Sequence, residues 1–236
     1  MRYFSFQWHI TEECDQRCKH CYIFSQDIGK KIDRMSFDEM MLTLSNIEDF
    51  CRTFDRKPYL YLTGGDPILH TDFWKLLDEL KSRRIEFTIM GNPFHLTPNV
   101  CDRLKDAGCI RYQMSLDGMR DTHDYFRKPG SFDTTLDRIK TIKDAGIRTI
   151  IMTTVSDKNI DEILDIIDTV VEYGVDVFSF GRYVPGGNEG DKTNGITPLR
   201  YRQLLDECYK KFKFYEDVGE DIYFNLKDHL FRLYEY

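Results

Sequence analysis

The chain is expected to fold as an α/β protein, a partial (β/α)6 barrel of parallel strands, and three observations lead there. Short strand-like runs alternate with amphipathic helical runs six times, the pattern of a parallel sheet joined by right-handed crossovers. The first and fourth strand runs alternate apolar with polar residues, whereas parallel strands covered on both faces usually read as solid apolar stretches. A barrel lumen too open to be filled by side chains accommodates such a polar face, so a partial barrel is favoured over a flat doubly wound sheet. Finally, the segments around residues 14–21, 64–67, 91–93 and 115–118 all follow carboxyl ends of strands, the rim where sites of such folds lie.

Each element has its own signal. In the first strand Phe4, Phe6, Trp8 and Ile10 share one face, and Tyr3, Ser5, Gln7 and His9 the other. Ser36-Phe37-Asp38-Glu39 is a capping box, opening a helix that runs towards Phe54 with Met40, Met41, Leu44 and Ile47 on one stripe. Tyr59 to Thr63 is the second strand. A helix over Asp72 to Ser82 follows, with Phe73, Leu76, Leu77 and Leu80 as its apolar face, and then the third strand, Phe87 to Met90. Thr97 with Pro98 behind it caps the next helix, closed by Gly108. Ile110 to Asp117 is the fourth strand, Phe132 to Ala145 a helix, and Ile147 to Val155 the fifth strand. Asn159 to Glu162 is read as the cap of a helix carrying Ile163, Leu164, Ile167 and Val170, and Val175 to Val184 as the sixth strand. The loop Pro185 to Asp191 is read as a flexible exit in preference to a phosphate cradle, because no lysine with Ser or Thr follows in place. Thr197 caps a last helix to about Glu216.

Composition excludes several classes. A hydrophobic content of 41% is ample for a core and argues against disorder, and the net charge of -7 argues against a protein that coats nucleic acid. No apolar run nears 18 residues and the first residues lack a signal-peptide pattern, so neither membrane nor export is expected and the location is read as cytoplasmic. In that reducing compartment, clustered cysteines are more often ligands or redox groups than disulfides.

Three of the seven cysteines, Cys14, Cys18 and Cys21, fall within eight residues of one another, on the loop after the first strand. Three thiolates at that spacing can hold one metal centre and leave part of it open. A zinc site completed by His20 or His9 is the bland alternative, but zinc sites generally draw paired Cys-x-x-Cys elements from two places. A four-iron cluster with one iron lacking a thiolate is favoured. The other cysteines, Cys51, Cys101, Cys109 and Cys208, lack the spacing of a second cluster and are read as core residues.

The motif Cys14-x-x-x-Cys18-x-x-Cys21, with Gly64-Gly65-Asp66-Pro67 after the second strand, resembles the radical S-adenosylmethionine superfamily over residues 1–185. That resemblance implies a [4Fe-4S] cluster on the three cysteines and S-adenosyl-L-methionine on its open iron, cleaved by one electron to methionine and a 5′-deoxyadenosyl radical. It implies main-chain contacts from Gly64 and Gly65 to the methionine ammonium, with Asp66 one methylene shorter than the usual glutamate. Ser115-Leu116-Asp117-Gly118, then Asp121, His123 and Arg127, is similar to the peptide- and protein-modifying branch with SPASM-type maturases. By that resemblance Ser115 bonds the ribose and Arg127 pairs with the methionine carboxylate. Arg127 could otherwise form a surface pair with Asp124 or Asp121. His20 precedes the third cysteine, where the backbone meets adenine, although a lone histidine there can equally be solvated. Asn92 and Thr153 to Val155 are read as bordering the nucleoside. His9, Gln7 and Gln113 face cofactor or substrate or satisfy one another, and Asp117 is a candidate acid or base, with capping of a turn before Gly118 the favoured role.

Residues 186–236 are read as a C-terminal helical extension, the start of a truncated auxiliary-cluster domain. The expected activity is modification of a ribosomally made precursor peptide, thioether crosslinking being one candidate, with flavodoxin or ferredoxin as the reducing electron donor. Two alternatives stand beside it: a radical enzyme acting on a sulfatase-type protein or a small metabolite, and a non-catalytic iron-sulfur or zinc module.

Overall fold

The computed structural model describes residues 2–24, 32–184, 195–226 and 229–234. Among the described residues seven strands form one sheet in sequence order, β1 (Arg2–Thr11), β2 (Arg56–Gly64), β3 (Glu86–Met90), β4 (Cys109–Ser115), β5 (Arg148–Val155), β6 (Val177–Arg182) and β7 (Tyr223–Asn225). The pairings described are parallel throughout. Sequential order separates the chain from a doubly wound sheet, whose order reverses at a switch point, and is that of the expected barrel topology. Six strands are anticipated by the periodicity. The seventh, Tyr223–Asn225, pairs with β6 from Val177↔Tyr223 to Ser179↔Asn225, and is too short to show a period of its own.

The chain gathers into two compact units. The first comprises Met1–Gln16, Gly29–Gln113 and Thr141–Arg148. Here the expected caps form: Ser36 Oγ accepts from Glu39 N at 3.3 Å while Ser36 N donates to Glu39 Oε2 at 2.7 Å, opening α1 (Phe37–Thr53). Helix α1 ends where Asp55 turns left-handed at φ 50°, so β2 begins at Arg56, ahead of Pro58. Helix α2 (Phe73–Ser82) buries Phe73, Leu76, Leu77 and Leu80 completely, and Leu60, Leu62, Phe87 and Ile89 of the strands are equally buried. Each such side chain contributes roughly 1.5–3 kcal/mol through removal from water. Thr97 Oγ1 accepts from Val100 N to open α3 (Pro98–Asp106).

The second unit comprises Arg17–Ile28, Met114–Lys140 and Thr149–Tyr236. It holds α4 (Arg120–Phe126), most of α5 (Ser131–Asp144), α6 (Ile163–Glu172) and α7 (Pro198–Asp217). Helix α4 is not anticipated by sequence: Met119 at its N-cap position offers no side-chain cap. Glu162 stands in from a distance, accepting from Met119 N at 2.7 Å and Thr122 Oγ1 at 2.6 Å. The expected cap by Asn159 is corrected. Asn159 stands at the N-cap position of a short 3-10 turn, Ile160–Glu162, with its carbonyl accepting from Glu162 N; α6 starts only at Ile163, and the Asn159 side chain makes no capping bond. Its amide is used elsewhere, on the carbonyls of Asp117 at 2.9 Å and Thr154 at 2.8 Å. The core of this unit is Ile151, Val155, Ile163, Ile166, Ile167, Val170 and Phe178. The glycine-rich loop at 185–191 lies outside the described residues.

Candidate functional site

In the first unit, the loop after β1 is clamped by the end of β2. Gly65 N donates to Thr11 O and Asp66 N to Glu13 O, both at 2.7 Å, immediately before Cys14. A Cβ on Gly64 would lie 2.0 Å from Thr11 O, and one on Gly65 2.2 Å from Glu13 O, distances no side chain tolerates. Gly64 also sits at φ +143°. The bare backbone expected to approach a cofactor is thus also what lets the cysteine loop approach the sheet.

Cys14 is half-buried, and Gln16 N at 3.4 Å and Asn92 Nδ2 at 3.2 Å donate to its sulfur. Burial pushes the Cys14 thiol up, and those two donors partly offset it. Asn92 Nδ2 also donates to Asp15 Oδ1 at 2.8 Å, and His95 Nε2 lies 3.2 Å from Asp15 Oδ2. The Asp66 carboxyl is fully buried and pushed up to about 7, first by burial and then by the charge of Asp15. The amides of Ile68 and Asn92 pull the other way, though neither closes a well-aligned hydrogen bond on its oxygens. Asp15, Asp66 and His95 bring one ligand atom each within 4.8 Å of one another. With Asp15 engaged by Asn92 and His95, and Asp66 facing those two amides, the trio reads as the backing of the Cys14 loop.

In the second unit, Cys18, His20 and Cys21 meet the end of β4 and α4. Lys19 N donates to Phe126 O at 2.9 Å and Cys21 N to Cys18 O at 3.0 Å. Asp117, fully buried, is the hub. Its Oδ2 accepts from Arg127 Nε at 2.6 Å and lies 2.6 Å from Arg127 Nη2; its Oδ1 accepts from Thr154 N at 2.8 Å. His20 Nε2 stands 3.5 Å from the same Oδ2, and the imidazole lies edge-on to Phe126 at 5.2 Å. Burial by itself would raise the Asp117 carboxyl, but Arg127, His20 and the Thr154 amide outweigh it and leave it below the usual range. The alternative pairing of Arg127 with Asp124 or Asp121 is replaced by this ion pair, in which the Arg127 side chain is only 13% exposed. Asp124 instead accepts from Gly130 N and Phe132 N. Arg127 Nη1 turns to Cys18 Sγ at 3.7 Å. Ser115 is half-buried at the last position of β4.

His123 completes this arrangement and responds to pH. Its Nδ1 accepts from Asp117 N at 3.0 Å, so the ring proton sits on Nε2 and points to Ser131 Oγ, 3.0 Å away. Burial, with Arg127 nearby, lowers the imidazole to about 4. The unfolded chain therefore takes up a proton near pH 6.5 that the folded one refuses until about pH 4. Stability present above pH 6.5 falls as pH drops through that window, by about 3 kcal/mol. His123→Asn, which keeps an acceptor near the Nδ1 position, is expected to flatten the profile between pH 6.5 and 4.5; urea midpoints across that range measure it, and a slope equal to the parent's would rule it out.

His20, Phe126, Thr154, Ser156, Lys158 and Tyr183 line a cleft of about 490 Å³, open mouth included. It adjoins the β5 end marked in the sequence. Tyr183 and Ser156 carry no signal in the sequence, Asn159 and Glu162 are marked there only as a helix cap, and Asp117 as an acid or base or, preferably, a turn cap. Nothing local distinguishes these residues from ordinary loop positions.

The donor set fits an iron-sulfur cluster. Cys14, Cys18 and Cys21 are half-buried, none is in a disulfide, and N–H donors already point at the sulfurs of Cys14 and Cys18, a kind of contact that tunes such clusters. His20, a candidate fourth zinc ligand, faces Asp117 instead. Cys51, Cys101, Cys109 and Cys208 are buried, and burial pushes the Cys109 thiol up to about 12, the setting of inert core cysteines.

A family model described as "Radical SAM superfamily" matches residues 8–170, well over half of the chain. An AdoMet-dependent heme synthase of Methanosarcina barkeri is 29% identical over 87% of this chain and 58% of its own. Mycofactocin maturase MftC of Mycolicibacterium smegmatis is 27% identical over 84% of this chain and 50% of its own. The chain thus spans about half the length of the curated relatives it matches. Among solved structures, Streptococcus suis SuiB bound to S-adenosylmethionine superposes with a TM-score of 0.77 at 16% identity, over 99% of this chain and 52% of that one. SuiB bound to its precursor peptide SuiA superposes with a TM-score of 0.75 at 15% identity, over 99% of this chain and 51% of that one.

Proposed function

The chain belongs to the radical SAM superfamily, whose members use a [4Fe-4S] cluster and S-adenosylmethionine, and on that premise we propose that it modifies a ribosomally synthesised peptide. When bound, the cluster and S-adenosylmethionine supply reductive carbon-sulfur cleavage and, from it, hydrogen abstraction from a substrate. Cys14, Cys18 and Cys21 hold the cluster. The main chain of Gly64 and Gly65 would receive the methionine amino group; the Asp66 side chain is fully buried. Arg127, held by Asp117, would pair with the carboxylate, and Ser115 would bond the ribose. The cleft beside His20, Thr154 and Tyr183 takes the adenine, with the His20 and Tyr183 rings as apolar walls. None of these side chains has to act as a general base, because hydrogen abstraction needs none.

The observation that carries the peptide reading is the run from Ser115 to Arg127, similar to the peptide-modifying branch. Supporting it, a maturase stands among the relatives and SuiB binds a precursor peptide. A second reading, a small metabolite such as a tetrapyrrole, is favoured by the heme synthase relative at 29% identity. One experiment separates them. The full protein is reconstituted anaerobically and incubated with S-adenosylmethionine, a reductant, and either a deuterated precursor peptide encoded beside its gene or a deuterated porphyrin. Deuterium in 5′-deoxyadenosine from the peptide supports the first reading, and label only from the porphyrin replaces it with the second. A four-iron paramagnetic signal indifferent to S-adenosylmethionine would defeat both.

A further inference from the structure

We propose that Asp117 is a positioning residue that holds Arg127 against Cys18 and cancels its charge there, and so sets the potential at which a cluster on the cysteine loop takes up its electron. The proposal rests on the reading of this loop as a cluster site. Every polar atom of Asp117 is committed: Oδ2 to Arg127 and His20, Oδ1 to Thr154 N, the amide to His123 and the carbonyl to Asn159. A carboxylate so fixed cannot swing away, so the guanidinium on it has one orientation. That orientation leaves Nη1 on Cys18 Sγ.

The electrostatics then have a definite sign. Hydrogen bonds to cluster sulfurs and net charge near the cluster are among the terms that set iron-sulfur potentials. A lone guanidinium beside Cys18 would favour the reduced, more negative cluster and raise its potential. With Asp117 2.6 Å behind it, the cation presents an oriented N–H with its net charge cancelled in a buried setting where solvent screens little. Structural stabilisation alone is a poor account of the pair. A buried ion pair returns little net stability after desolvation, and an apolar pair of the same volume often does as well.

The test is the midpoint potential of the reconstituted full protein, read by paramagnetic resonance as one electron from a low-potential reductant converts [4Fe-4S]2+ to [4Fe-4S]+, without S-adenosylmethionine. Asp117→Asn is expected to shift the equilibrium towards the reduced cluster about tenfold, a rise of about 59 mV for one electron. Arg127→Gln is expected to shift it the other way, and the double variant to return close to the parent. If Asp117→Asn does not fold, the rise from Arg127→Gln to the double variant decides the matter, because that step removes the Asp117 charge alone, and no rise between the two would overturn the proposal. A residue that merely supported the fold would lower iron content and leave the potential of the remaining clusters alone, and that result would overturn the proposal. Absence of a four-iron signal in the unaltered protein would instead remove the cluster reading itself, and this one with it.

Discussion

Cys18→Ala is expected to leave a folded protein that forms no 5′-deoxyadenosine under reducing conditions. Cys18 is half-buried in a loop, so loss of its sulfur forfeits little packing, on the order of 0.5 kcal/mol. Its chemical loss is total, because a four-iron cluster held through three thiolates and one exchangeable position cannot keep that geometry on two. The measurement pairs product chromatography with iron content and thermal midpoint. A midpoint within a few degrees of the parent, with iron and product both absent, is the expected combination, and retained turnover would remove Cys18 from the ligand set.

Gly65→Ala is expected to do comparable damage without touching a ligand. The added methyl would lie 2.2 Å from Glu13 O and 2.7 Å from Glu12 O, both rigid main chain. Relief requires the loop to lift, which breaks Gly65 N to Thr11 O and Asp66 N to Glu13 O and displaces Cys14, the next residue. Overpacking of this kind costs about 1–3 kcal/mol, with about 1 kcal/mol more for each buried hydrogen bond opened. Urea unfolding should show that loss, and reconstituted iron should fall by at least half. Full iron loading at unchanged stability would show that the clamp is not needed to present Cys14.

Elements with long apolar periodicity are legible in the order of residues alone. The Phe73, Leu76, Leu77, Leu80 stripe and the Ser36 to Glu39 capping box appear where expected, because both are local patterns whose partners lie within a turn or two of the helix. Short elements held by remote groups are not legible in this way. Helix α4 depends on Glu162, some forty residues away in sequence, and β7 depends on a neighbouring strand edge. Asn159 shows the same limit from the other side: the Oδ1 that would cap a helix accepts from Ser156 N instead, and its amide nitrogen is held by the carbonyls of Asp117 and Thr154.

The amino-acid sequence by itself determined the parallel α/β topology, the three-cysteine loop and the glycines that follow the second strand. Those features rest on residue type and spacing along the chain, and covalent connectivity carries both. Only the tertiary structure decided what Arg127 is paired with, where Asp66 points and which groups back Cys14. Burial and hydrogen bonding between residues as distant as Asn92 and Cys14, or Arg127 and Cys18, arise from packing. A carboxylate at position 117 reads as a turn former until folding removes its water and leaves a guanidinium as its counter-charge.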